Sequence, residues 1–265
     1  MSTADDPNRV LLVGDLHGRT QAALEVIDHA VAVGADLVVQ LGDFGYQPAR
    51  PSSATFLQVV EDRLAEHDLE LWWLEGDHDQ LPDLPLDGQG RVRVAAHIVY
   101  LPRGHRWNWG SATWLALGGA ESITGRPGPS TPLTDEQADQ IIAVGSADVI
   151  VAHDAPWSAP LTGGTPNGPL ARHLGQDLAW EERLDAMFWD ADRIAASDGH
   201  QQRLRRITDA CLTPGGLWAH GHHHRRYSHL IQPADWRVEG LGVAGQPLEQ
   251  LTLLVDRWGC AIPEG

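Results

Sequence analysis

The chain has 265 residues, of which 42% are apolar and 21% charged, a composition typical of folded globular proteins. It carries 36 Asp and Glu against 19 Lys and Arg, for a formal net charge of −17. Because nucleic-acid binding draws on clustered Lys and Arg, this balance argues against a long nucleic acid as partner. The chain has two cysteines, no apolar run of about 18 residues and no basic leader, so we expect a cytoplasmic protein without a disulfide framework, membrane span or secretory signal.

The first eighty residues alternate between strand and helix patterns. Three short apolar runs are typical of buried strands: 10–13, 37–39 and 69–74. Apolar residues at three-to-four spacing predict two helices between them, one from Thr20 to a cap at Gly34 and one capped by Ser53. This alternation predicts right-handed crossovers and parallel strand pairing.

The rest of the chain mixes strand, loop and helix patterns. By the same criteria we predict strands and turns at 91–118, strands at 147–152, 217–219 and in the last forty residues, a long Pro/Gly-rich loop at 155–176, and helices at about 177–197 and 200–212. The loop is either a lid or a partner surface. We predict one α/β domain over residues 1–265, with two sheets packed face to face and helices outside.

Acidic and histidine residues follow each of five predicted strands. The five segments are Gly14-Asp15-Leu16-His17-Gly18, Gly42-Asp43-Phe44-Gly45, Gly76-Asp77-His78-Asp79, His153-Asp154 and Gly221-His222-His223-His224. Each segment alone is commonly a surface turn, but the carboxyl ends of parallel strands meet at one edge of a sheet. Carboxylates and imidazoles are ligands for Mn, Fe, Zn or Ni, and adjacent glycines let the backbone come close to an ion. Together the segments predict a site for two metal ions.

The order Asp-x-His, Gly-Asp, Gly-Asn-His-Asp, His, Gly-His-x-His resembles that of the calcineurin-like metallophosphoesterases, with Asp77 in place of the Asn. Within that superfamily it is most similar to the branch that includes class III cyclic-nucleotide phosphodiesterases. The resemblance runs from Val10 to His224 and implies a four-layer αββα sandwich of two mixed sheets, with the metal site at the carboxyl ends of the strands. It also implies two divalent metal ions, Mn in the first place and Fe, Zn or Ni as alternatives.

The resemblance further assigns roles to individual residues. It implies that Asp15, His17, Asp43 and His224 hold the first ion, and that Asp43 bridges to a second ion completed by Asp77, His153 and His222. A hydroxide bridging the ions would attack the phosphate ester, and His78 would donate a proton to the leaving alkoxide. In the alternative, His78 only orients a ligand or the substrate. We expect Asp79 either to orient His78 or to be a solvated turn carboxylate.

Two departures from the family pattern bear on function. Phe44-Gly45-Tyr46 stands where the protein-phosphatase branch has a Val-Asp-Arg-Gly-like run, which argues against a phosphoprotein substrate. Asp77 adds a carboxylate where a neutral amide is usual, which makes the site less positive by one charge. A less positive site acidifies bound water less and attracts phosphate more weakly, so we hypothesise that Asp77 slows catalysis.

The most favoured function is hydrolysis of a small phosphodiester, for which the sequence assigns no substrate-binding residue and no oligomeric state. The alternatives are a phosphomonoesterase on the same metals and a catalytically weakened metal-binding scaffold; a nuclease would need a basic groove that this composition does not offer. His223 is expected to point away from the ligands, and His220 to be a buried supporting histidine. Four tryptophans are expected near the loops of the active edge, there to pack or to stack on a base: Trp107, Trp109, Trp114 and Trp157.

Overall fold

A computed structural model describes residues 6–122, 131–157 and 191–263. In these ranges, two six-stranded sheets are formed by β1 (Arg9–Val13), β2 (Leu37–Gln40), β3 (Glu70–Trp73), β4 (Val92–Arg93), β5 (Ile98–Tyr100), β6 (Arg106–Trp109), β7 (Ala112–Leu117), β8 (Ala147–Ala152), β9 (Leu212–His220), β10 (Tyr227–Ile231), β11 (Trp236–Gly240) and β12 (Thr252–Asp256). The helices are α1 (Thr20–Ala32), α2 (Pro51–Glu66), α3 (Asp135–Val144), α4 (Ala191–Cys211) and the short α5 (Leu248–Leu251).

Both sheets are mixed, with a parallel centre and antiparallel edges. The first has the order β12-β1-β2-β3-β5-β4, in which β1, β2, β3 and β5 run parallel. The second has the order β10-β11-β9-β8-β7-β6, in which β11, β9, β8 and β7 run parallel. The parallel strands of each sheet therefore end at a common edge.

The molecule has four layers because each sheet is buried on both faces. Along β1, Val10 and Leu12 pack in the core between the sheets, whereas Leu11 and Val13 pack against α1 and α2. The outer face of the second sheet packs against α3 and α4 in the same way. Two buried faces explain the uninterrupted apolar run of the first strand. The predicted αββα sandwich of two mixed sheets is confirmed.

Several local predictions can be compared with the structure. The helix α1 begins at Thr20, and Gly34 follows it with a positive φ of 66°, as the cap prediction requires. The cap predicted at Ser53 is wrong, because Pro51 begins α2 and the Ser53 hydroxyl instead donates to the carbonyl of Gly45. The predicted helix at 200–212 is the second half of α4, and most of the predictions at 155–176 and 177–197 lie outside the described residues.

Three of the four tryptophans expected near the active edge lie elsewhere. Trp107, Trp109 and Trp114 lie in the neighbouring strands β6 and β7, where Trp109 and Trp114 have ring centroids 4.7 Å apart. Trp109 pairs with Ala112, at the end of β7 remote from the edge where the parallel strands end. They pack between the sheets on Trp72 of β3, and only Trp157 follows a strand, β8, at the active edge.

In the described ranges, no helix has the length and apolar character that a membrane span requires. The single domain predicted for residues 1–265 stays a prediction.

Candidate metal centre

The structure brings all seven predicted ligand residues together at the common edge of the two sheets. Their donor atoms form overlapping clusters in which the atoms lie within 4.8 Å of one another. The clusters are Asp15–His17–His224, Asp77–His153–His222, Asp15–Asp43–His153 and Asp43–Asp77–His78. Strands β1, β2 and β3 of one sheet and β8 and β9 of the other each supply at least one residue. The candidate metal centre thus lies where the two sheets meet.

One group of donors surrounds Asp15. The His224 Nε2 atom lies 3.0 Å from Asp15 Oδ2, and the His17 Nε2 atom lies 3.9 Å from the same oxygen. The Nε2 atoms of His17 and His224 are 3.2 Å apart. The other oxygen, Asp15 Oδ1, accepts the backbone N–H of His222 at 3.0 Å, which fixes the carboxylate and leaves Oδ2 facing the histidines.

A second group surrounds Asp77. Its Oδ1 atom lies 3.2 Å from His153 Nε2 and 3.4 Å from His222 Nδ1. His153 Nδ1 lies 2.8 Å from the carbonyl oxygen of Leu41, so Nδ1 donates its proton there, and Nε2 faces the site and can bind an ion once it has lost its own proton. The three side chains are almost completely buried.

Asp43 lies between the two groups. Its Oδ2 atom is 3.7 Å from His17 Nδ1 and also 3.7 Å from His153 Nε2, one residue from each group. Its Oδ1 atom accepts the backbone N–H of His78 at 2.9 Å. An oxygen directed at both groups is what a bridging ligand between two ions requires. The donor set of carboxylate oxygens and imidazole nitrogens fits two divalent transition-metal ions.

Two glycines permit the close approach of the strand ends. A Cβ atom on Gly76 would lie 2.1 Å from Asp43 Oδ1, and one on Gly221 would lie 2.1 Å from Asp15 Oδ1. Any side chain at either position would therefore displace the carboxylate that the glycine touches. This close approach explains why a glycine precedes Asp77 and His222 in their motifs.

Four of the seven residues have a left-handed backbone conformation. The φ angles are 48° at His17, 54° at Asp43, 62° at His222 and 55° at His224. Such angles are uncommon for residues other than glycine and occur where the surrounding structure enforces them, often at functional sites. Here the four residues with this conformation all contribute donor atoms to the clusters.

The crowding of charges shifts the pKa values of the metal-free centre. Burial would raise the pKa of Asp77, but its contacts with His153 and His222 outweigh burial and place it below its usual value. Burial would lower the pKa of His222, but Asp154 and Asp77 outweigh it and raise the pKa to about 9. For Asp43, burial raises the pKa well above normal, and the neighbouring Asp77 adds to that shift while His153 opposes it. In the absence of ions, buried histidines thus carry part of the compensating positive charge.

His78 lies at the mouth of this centre. Its Nε2 atom is 3.5 Å from Asp77 Oδ2, its ring centroid is 5.6 Å from that of His17, and its side chain is 39% exposed. It is therefore accessible to a bound substrate while it stays next to the ligand carboxylates. This placement is the one that a proton donor to a leaving group needs.

Neither expectation for Asp79 is correct. The carboxylate is fully buried and accepts four backbone N–H groups, those of Phe44, Gly45, Tyr46 and Gly76, at 2.7–3.0 Å. Burial raises its pKa, and these amides act in the opposite direction. Asp79 therefore ties the loop after β2 to the loop after β3, so its role is to position the segments that carry Asp43 and Asp77.

Sequence reasoning missed the partner of His223. His223 belongs to none of the donor clusters, and its Nε2 atom lies 2.9 Å from Oδ1 of the fully buried Asp154. His220 is buried as predicted, with Nδ1 2.8 Å from the carbonyl oxygen of Gly221. The sequence feature that could have predicted this partner is the position of Asp154 directly after the predicted ligand His153. Because neighbouring residues of an extended chain point to opposite faces, Asp154 lies beside the centre but faces away from it.

Comparisons with known proteins agree with this site. A family model described as calcineurin-like phosphoesterase matches residues 8–226. The chain therefore belongs to the calcineurin-like phosphoesterase family, as its motifs predicted, and this family membership implies metal-dependent hydrolysis of phosphate esters.

Among solved structures, the chain is similar to the crystal structure of TT1561 of Thermus thermophilus, with 10% identity and a TM-score of 0.47. The match covers 95% of this chain and 99% of that one. A search of curated protein sequences gave no significant match.

Proposed function

We propose that the chain hydrolyses small phosphodiesters with two divalent metal ions, Mn first among the candidates. The observation that carries this proposal is the position of Asp43 Oδ2, 3.7 Å from a histidine of each donor group. In the proposal, Asp15, His17, Asp43 and His224 bind one ion, and Asp43, Asp77, His153 and His222 bind the other. Bound ions supply a hydroxide nucleophile and neutralise the phosphoryl charge.

The residues of the chain contribute fixed positions to this chemistry. Backbone amides hold one oxygen of Asp15 and one of Asp43, so their remaining oxygens need little reorganisation when an ion binds. Phosphoryl transfer depends mainly on alignment and charge neutralisation, which such a rigid donor set provides. His78, partly exposed beside Asp77, donates the proton that the leaving alkoxide takes up.

The proposed substrate is a small molecule with a single phosphodiester group. The net charge of −17 opposes a long polyanion, and Phe44-Gly45-Tyr46 replaces the run typical of the protein-phosphatase branch. We keep a cytoplasmic location as part of the proposal, since Cys211 and Cys260 are both free.

The test compares bis-p-nitrophenyl phosphate with p-nitrophenyl phosphate in the presence of Mn, Fe, Zn or Ni. Faster turnover of the diester supports the proposal. Faster turnover of the monoester would make the chain a phosphomonoesterase on the same centre.

The position of Asp77 favours a second candidate, a metal-binding scaffold with weak activity. Its carboxylate contacts both His153 and His222 and adds a negative charge next to the place where phosphate would bind. If every activated ester remains intact with each metal supplied, while metal still binds, this candidate replaces the enzyme.

A further inference from the structure

A pocket of about 520 Å³ lies on the flank of the sandwich, away from the metal centre. Its walls come from the segment that leads into β4 and from β6, the edge strands of the first and second sheets, and its floor includes Trp72 of β3. No residue that lines it belongs to the clusters of metal-ligating side chains. The metal centre therefore does not account for its chemistry.

One wall of the pocket is a buried cation. The Arg91 side chain is only 8% exposed, and its Cζ atom lies 4.7 Å from the ring centroid of Trp72. Its Nε atom lies 3.2 Å from Asp87 Oδ2, but among the described residues nothing hydrogen-bonds its Nη atoms. The Nη edge of this guanidinium is thus open to the pocket, where an anionic group can accept its hydrogen bonds.

The opposite wall carries further polar atoms without partners. Three successive residues, His105, Arg106 and Trp107, each bury one side-chain nitrogen that has no hydrogen-bond partner in the described structure: Nε2, Nε and Nε1 respectively. The indole N–H groups of Trp72 and Trp114 donate to Glu70 and to the carbonyl of Arg257, whereas those of Trp73 and Trp236, outside the pocket, are also unpaired in the described structure. Such atoms also occur elsewhere in the described structure, but these three belong to residues that line the pocket, where a ligand can reach their surroundings.

The pocket also offers flat aromatic surfaces. The rings of His105 and Trp107 are stacked with an interplanar angle of 17°, and burial lowers the pKa of His105 to about 4, with Arg91 adding to the shift. The histidine is therefore neutral near pH 7.

Two carboxylates lie beside the lining residues, Asp87 on Arg91 and Glu70 on Trp72. The Arg106 Nη atoms already donate to backbone carbonyls outside the pocket, so Arg91 is the cation that is available to a ligand.

We propose that this pocket binds a small planar anion, an aromatic ring that carries a carboxylate or a phosphate. The ring stacks on the aromatic wall, and the anionic oxygens accept the free donors of Arg91 and, after small side-chain adjustments, those of His105 and Trp107. The site is separate from the proposed hydrolytic centre and does not depend on it.

The test uses metal-free protein in EDTA, so that no ion in the catalytic centre binds the probes. AMP and 2-naphthoate represent the two anionic groups, adenosine lacks the charge, and inorganic phosphate lacks the ring. Affinity is measured by calorimetry, and the location by the shift of the indole N–H signal of Trp107, assigned by its loss in Trp107→Phe.

We expect AMP, 2-naphthoate or both to bind and to shift this signal, and adenosine and inorganic phosphate to bind at least about tenfold more weakly. Whether AMP or 2-naphthoate binds shows whether the anionic group that the pocket prefers is a phosphate or a carboxylate. Arg91→Gln should weaken binding at least about tenfold, whereas Arg93→Gln, which removes the same charge from an arginine outside the pocket, should leave it unchanged.

If Arg91→Gln does not fold, Trp107→Phe decides by calorimetry, because it keeps a ring and removes one donor; a loss of about two- to tenfold is expected. The proposal is wrong if neither anion binds at millimolar concentration, if adenosine binds as tightly as the anion that responds, or if the variants of Arg91 and Trp107 bind that anion as the original chain does. None of these results bears on phosphoesterase activity, which is measured separately.

Discussion

His223 Nε2 lies 2.9 Å from Asp154 Oδ1, and this contact separates the middle residue of His222-His223-His224 from the two residues beside it. His222 and His224 face the metal centre, whereas His223 is held by a carboxylate on the neighbouring strand end. Asp154 also accepts the backbone N–H of Ala155 at 2.6 Å. The contact therefore fixes the segment that carries two predicted ligands.

Removal of the His223 donor should destabilise the protein. His223→Leu leaves a buried carboxylate oxygen with fewer donors, and we expect a loss of about 1–3 kcal/mol in the free energy of unfolding. His223→Gln keeps a nitrogen donor at a similar reach and should lose less. Urea denaturation of the metal-free variants measures both values, and equal stability of the Leu and Gln variants would contradict the role assigned to this hydrogen bond.

Asp77→Asn should raise turnover. The change removes one negative charge beside His153 and His222 and leaves an amide oxygen for the ion, so that bound water becomes more acidic. At a solution pH below the pKa of the bound water, each unit by which that pKa falls gives up to about tenfold more metal-bound hydroxide. Steady-state kinetics with bis-p-nitrophenyl phosphate, at matched metal content, checks this expectation, and an unchanged kcat would reject it.

His78→Ala should affect poor leaving groups most. A proton donor contributes about 10²–10⁴-fold when the leaving group is a basic alkoxide and little when it is p-nitrophenolate. The measurement is kcat for an alkyl phosphodiester and for bis-p-nitrophenyl phosphate, with His229→Ala, a change at an exposed histidine of β10, as control. An equal loss for the two substrates would instead assign His78 to orientation of a ligand or the substrate.

Metal binding should release protons and strengthen with pH. The pKa of His222 is raised to about 9, so this residue is protonated in the metal-free protein at pH 7, and the pKa of His153 is raised as well. An imidazole must lose its proton before it binds a metal, so loading should release about one proton from His222 and a further contribution from His153, and the metal affinity should rise between pH 6 and 9. Calorimetry in two buffers of different ionisation enthalpy counts the protons; affinity that is constant over this range would contradict the assigned pKa shifts.

The sequence was sufficient to predict the layered fold and the seven converging residues, and the reason is physical. Strands buried on both faces leave continuous apolar runs such as Val10–Val13, and the turn that follows each run carries its polar residues to a common sheet edge. The apolar runs and the turns that follow them are local features of the sequence, so they can be recognised before the three-dimensional contacts are known.

Other features depend on contacts that no local pattern reveals. Ser53 resembles a helix cap, but Pro51 begins the helix and the Ser53 hydroxyl accepts the N–H of Gln47 in the preceding loop. Asp79 resembles a solvated turn residue, yet it accepts amides from a loop that lies more than thirty residues earlier. Only the packing of the two sheets decides that Trp107 and Trp109 lie between them rather than at the active edge.

The most direct test of the two-ion centre is an anomalous difference map from crystals of the Mn-loaded protein. We predict two peaks on either side of Asp43, one beside Asp15, His17 and His224 and the other beside Asp77, His153 and His222. A single peak, or none at this edge of the sheets, would contradict the proposed centre.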